Sequence, residues 1–94
     1  MIYKLNNKEY ETKEITFGEL VKIEKAGVDI MTLGKSNTFS QAVAMISYIT
    51  GLSKDKVMKE CDEHLNNGGD FEDIFQCFNC LTESDFFNKV GAKK

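Results

Sequence analysis

Cys61-x2-His64 followed by Cys77-x2-Cys80 has the ligand types and rough spacing of a zinc site: thiolates and an imidazole in two pairs. The sequence around them argues for a blander role. Both pairs fall inside strongly periodic helical stretches, whereas a structural zinc site usually holds at least one pair on a tight turn. Cys77 only flanks the apolar stripe of its helix, and Cys80 points largely away from it. Small buried thiols and a histidine at the edge of a core account for the same four residues, so no metal and no cofactor is expected. A redox pair at Cys77 and Cys80 would need a strand just before it and a βαβ setting; neither is present.

Catalysis finds no better footing. A hydrolase needs a nucleophile, a base and an orienting group. His64 is the single histidine, it sits within a helical stripe, and no serine is flanked by a glycine elbow. Asn66-Asn67-Gly68-Gly69 lacks the Lys-Ser/Thr ending of a phosphate loop. Glu60, Asp62 and Glu63 read as a solvated helix face. The expectation is a protein that is not an enzyme.

Charge then limits the partners. The net charge is −3 and every one of the 12 basic residues is a lysine. Bidentate recognition of phosphate and guanine favours arginine, so a nucleic-acid partner is disfavoured. A helix-turn-helix pairing of 39–50 with 53–65 would present Lys54, Lys56 and Lys59 to DNA, but among Asp55, Glu60, Asp62 and Glu63. The 3 cysteines are an odd number that cannot close a disulfide framework. With no charged-then-apolar leader, they point to a reducing cytosol. No apolar run approaches the roughly 20 residues that span a bilayer, so no membrane role is expected.

The elements that would position these residues belong to one domain spanning 1–94, of ordinary apolar (41%) and charged (29%) content. Residues 2–15 read as a β-hairpin turning at Asn6-Asn7, because Asn tolerates the positive φ of a two-residue primed turn. That turn sets Leu5 opposite Lys8, Lys4 opposite Glu9 and Tyr3 opposite Tyr10. Residues 16–90 read as four to five short helices in a compact bundle, and 91–94 as a frayed end. Thr16-x-x-Glu19 is a capping box opening a helix with Phe17, Leu20, Val21 and Ile23 on its apolar face, ended by Gly27. Residues 28–37 connect it, with Ile30 and Leu33 as anchors. The central helix is Phe39 to Gly51: Phe39, Ala42, Val43, Ile46 and Ile49 form one stripe, and Ala44, Met45 and Tyr48 leave little circumference for water. Ser36 or Thr38 would cap its start. Ser53 caps a third helix with Val57, Met58, Cys61, His64 and Leu65 on one side. Asp70 caps a fourth with Phe71, Ile74, Phe75, Phe78 and Leu81. Thr82-Glu83-Ser84-Asp85 would open a last one holding Phe86, Phe87 and Val90. The fold class is therefore mainly α, with an N-terminal hairpin (α+β).

This order of elements resembles a known family. KLNNKEYE running into FGELVKIEKAGVDI, then a connection and an all-helical remainder, is similar to the small tail assembly chaperones of long-tailed bacteriophages and prophages. The likeness lies in residues 2–30 and, beyond them, in size and helix layout. It implies a non-catalytic protein of the bacterial cytoplasm that coats the helical tape-measure protein while tail-tube subunits polymerise, and that leaves before the virion is mature. Many members are also made in a longer, frameshifted form. The tail-tube protein and further copies of the chain itself are additional expected partners. The family supplies no role for Cys61, His64, Cys77 and Cys80. For the client surface the candidates are Ile30, Met31 and Leu33 in the connection and Phe86 and Phe87 on the last helix, apolar residues at the edges of the expected core. A second reading is a small zinc-stabilised or DNA-associated regulatory module of phage or bacterial origin.

Overall fold

A computed structural model describes residues 2–32 and 38–82, apart from the side chains of Thr32, Cys80 and Thr82. Strands β1 (Ile2–Leu5) and β2 (Lys8–Glu11) pair antiparallel in the expected register, Leu5 with Lys8, Lys4 with Glu9 and Tyr3 with Tyr10. Asn6 and Asn7 take φ of 54° and 63°, the left-handed pair that a primed two-residue turn needs. The ladder ends at Glu11, so the hairpin is shorter than 2–15. Tyr3 and Leu5 face the interior while Ile2 and Lys4 face out. The buried Tyr3 hydroxyl donates to the Ile74 carbonyl (3.1 Å), tying the first strand to the C-terminal helices.

Helix α1 (Phe17–Ala26) starts at Thr16, whose hydroxyl accepts from the Glu19 N–H. The reciprocal half of the box is absent, because the Glu19 carboxylate instead receives the Tyr48 hydroxyl and Lys22. The Tyr48 bond holds Glu19 below the ordinary carboxylate range and staples α1 to α2 (Phe39–Thr50). On α1 only Leu20 and Ile23 are buried, and Phe17 and Val21 are exposed, so the buried strip is narrower than the sequence pattern. Gly27 ends α1 at φ 120°, and a Cβ there would lie 3.3 Å from the Ala44 Cβ, so the position needs both the backbone freedom and the small side chain.

A 3₁₀ turn at Ile30–Thr32 follows. Thr38, of the two candidates, caps α2 by accepting from the Gln41 N–H. The middle of α2 is enclosed over most of its circumference, with Ala42, Ala44, Met45 and Ile46 buried and Val43 partly so, and Gly51 carries the chain out in the left-handed conformation. Phe39 departs from the expected stripe: it is 65% exposed. Ser53 caps α3 (Lys54–Asn66), of which Val57 alone is fully buried.

Asp70 and Asp73 form a complete capping box at α4 (Phe71–Phe75). The helix then tightens into a 3₁₀ turn (Gln76–Phe78) before α5 (Asn79–Thr82). Across that change the buried residues Ile74, Cys77, Phe78 and Leu81 keep one stripe at i, i+3, i+4 and i+7. Cys77 is thus not a flank but part of the centre, its Sγ 3.9 Å from the Ala42 carbonyl. Two small side chains meet there, letting α2 and the C-terminal segment approach closely. Phe71, placed on the apolar stripe by the sequence pattern, is 54% exposed. One core cluster joins β1, α1, α2, α3 and the C-terminal helices. No helix among the described residues is long and apolar enough to cross a membrane. The 82–85 cap, the helix expected after it and the 91–94 end lie outside the described residues.

Candidate functional site

Helix α3 separates two unlike surfaces. On one side the hairpin turn is latched to it by polar groups. The Asn6 backbone N–H donates to His64 Nδ1 (2.9 Å), and the Asn6 side-chain amide donates to Glu60 Oε1 and Glu63 Oε1 (both 2.9 Å). Asn67 donates to Asn6 Oδ1 (3.4 Å), and Lys8 Nζ lies 3.1 Å from Glu60 Oε2. Because Nδ1 accepts, the proton of the neutral ring sits on Nε2, which faces Asp73 Oδ2 at 3.0 Å. Both ring nitrogens are committed. Donors from Asn6 and Lys8 hold Glu60 below the ordinary carboxylate range, and the Lys8 ammonium is raised in return. The His64 bond, aided by the Asp70 N–H, likewise lowers Asp73. Glu60 and Glu63 are therefore hairpin acceptors more than a merely solvated face, a role that residues over 50 positions apart in sequence do not announce.

The end of α3 is shaped to the same ring. Gly69 N–H donates to the His64 carbonyl (2.9 Å) and Gly68 N–H to that of Leu65 (3.3 Å), the paired bonds of a Schellman ending, with Gly68 at φ 98°. A Cβ on Gly69 would lie 2.2 Å from His64 Nε2. The glycine pair thus has two duties: Gly68 turns the chain out of α3, and Gly69 leaves room for the imidazole.

Cys61, His64 and Cys77, the described members of the zinc-like set, are not grouped to hold a metal ion. His64 would have to give up one of its two hydrogen bonds to bind a metal. Cys77 is buried against α2, and Cys61 lies half-buried with its thiol pushed up by burial. The Cys80 side chain lies outside the described residues. Among the described residues no three His, Cys, Asp or Glu side chains are grouped to hold a metal ion.

On the opposite side of α3 is an apolar groove of about 490 Å³. One wall is Lys54, Met58, Cys61, Asp62 and Leu65 of α3; the other is Phe39, Ser40, Ala42 and Val43 of α2 with Phe71 and Ile74 of α4. Its large apolar side chains stay open to solvent: Phe39 at 65%, Phe71 at 54% and Met58 at 48%. The Phe39 ring contacts Phe71 and Phe75 at centroid distances of 5.7 and 5.5 Å, so the aromatic rim is braced by its neighbours. Sequence periodicity assigned Phe39, Met58 and Phe71 to the core; the signal that they end a stripe, each beside a cap residue or a charged neighbour, was weak.

The sequence-expected client residues lie elsewhere or outside view. Ile30 packs partly against the core and Met31 is 85% exposed, and neither lines the groove. Leu33, Phe86 and Phe87 lie outside the described residues. In comparisons with known proteins the chain matches no family model, no curated protein and no solved structure.

Proposed function

We propose that this chain is a non-catalytic assembly chaperone that holds an apolar helix of a client protein in the groove between α2, α3 and α4. The observation that carries the reading is the groove itself, around which Phe39, Met58 and Phe71 are gathered with their side chains open to solvent. Contiguous exposed apolar surface on a small domain marks an interaction site. Flexible Met beside aromatic anchors suits a groove that must accept many helical segments of similar character. Weak contacts repeated along a long client would add up through multivalency. Non-catalytic action is supported by His64, whose nitrogens are both engaged within the fold.

The resemblance of residues 2–30 to phage tail assembly chaperones gives the client a chemical identity: the long, helical tape-measure protein, met in the host cytoplasm before tail-tube subunits enclose it. The test is co-expression with a tape-measure segment rich in apolar heptads. The wild-type chain should keep that segment soluble and co-purify with it, while Phe39→Ser combined with Phe71→Ser should lose it with the fold retained. A segment that stays insoluble beside wild type would overturn the proposal.

A further inference from the structure

The exposed ridge of α3 that borders the groove has a charge pattern with its own symmetry. Lys54, Met58 and Asp62 follow one another at i, i+4 and i+8, a single line of neighbours on the helix surface. By helical rise the two positions are about 12 Å apart along the axis, with the apolar residue midway, and the Lys54 ammonium lies beside Gly27 at the end of α1, 3.5 Å from where a Cβ there would sit. All three are exposed, and among the described residues neither Lys54 nor Asp62 is in an ion pair.

A two-fold axis through Met58 and perpendicular to α3 reverses the helix direction in the second copy. It brings Lys54 of each copy onto Asp62 of the other, and Met58 onto Met58. This is the self-complementarity that an isologous interface requires. An arbitrary helical client has no reason to match this charge spacing; a second copy matches it by construction.

We infer that the groove is closed by a second copy of this chain, through an antiparallel α3–α3 contact centred on Met58. The inference concerns what covers the groove in the isolated protein and stands whether or not a client of the proposed class exists. Where a client does exist, dimer and client compete for the same apolar surface.

Sedimentation velocity of the full chain across a concentration series is the test. Wild type should show a concentration-dependent monomer–dimer equilibrium. Lys54→Asp replaces two attractive pairs by two repulsive ones and should weaken the dimer about tenfold or more. It should leave the circular dichroism spectrum unchanged, because an acidic residue is well tolerated in the first turn of a helix. The double variant Lys54→Asp/Asp62→Lys restores complementarity with the signs exchanged and should return the dimer to near wild-type strength. A wild type that stays monomeric throughout overturns the inference, even if a helical peptide enters the groove. A folded Lys54→Asp variant that dimerises normally, or a double variant that fails to recover, overturns it equally.

Discussion

The two sides of α3 use the same thirteen-residue helix for opposite ends. On the latch side, Glu60, Glu63 and His64 find complementary groups on Asn6 and Lys8 of the hairpin and on Asp73 of α4 at 2.9–3.1 Å. Toward α2 and α4, Met58 faces exposed aromatic rings and water. The polar side fixes where the hairpin sits and leaves little for a ligand. The apolar side contributes little to that placement and leaves surface to be covered. Exposure here separates what holds the fold from what the fold is proposed to offer.

If that division is right, changes on the latch side should lower stability and spare binding. The largest effect is expected from Gly69→Ala. Its Cβ would overlap a ring pinned at both nitrogens, and overpacking of that kind costs about 1–3 kcal/mol. For a domain of this size the melting temperature should fall by about 10 °C. In a His64→Ala background the added methyl has room, so Gly69→Ala should then cost little beyond the histidine change. Additive losses in the thermal melts would show that the glycine matters only for its own backbone.

His64→Ala alone comes next. It strips the Asn6 N–H of its acceptor and Asp73 of its donor, with an expected loss of about 1–2 kcal/mol. Amide exchange at Asn6 should quicken more than exchange in the middle of α2. Unchanged protection at Asn6 would mean that the turn is held by its Glu60 and Glu63 bonds without the ring.

How much of this was legible in the sequence depends on range. The Asn6-Asn7 turn, the strand register and the caps Thr16, Thr38, Ser53 and Asp70 rest on neighbours within a few positions, and the structure has them as the pattern predicts. His64 meeting Asn6 is a contact between residues 58 positions apart, and periodicity within one helix carries no information about it. Phe39 and Phe71 failed for a related reason: a stripe tells which residues share a face, not how far a neighbour extends along it. Cys77 shares with Ile74, Phe78 and Leu81 the ordinary i, i+3, i+4, i+7 stripe, and centring that stripe on Phe71 and Phe75 turned its expected middle away from Cys77.

A smaller effect should appear with pH. The folded state lowers Asp73 below its ordinary value of 3.8, so its contribution is present above that value and is lost as pH falls through the depressed one. Asp73→Asn should therefore be less stable than wild type at neutral pH, with the gap closing in acid. A gap that stays constant down to the acid transition would assign the loss to the capping box instead of to the charge.

The most direct test of the division is a titration of the isotope-labelled chain with a synthetic amphipathic helix carrying leucine at i, i+3, i+4 and i+7, followed by amide and methyl chemical shifts. The account predicts shifts concentrated at Phe39, Val43, Met58 and Phe71, with Asn6, Lys8 and His64 unmoved. Shifts centred on the hairpin turn, or none at the groove at saturating peptide, would contradict it.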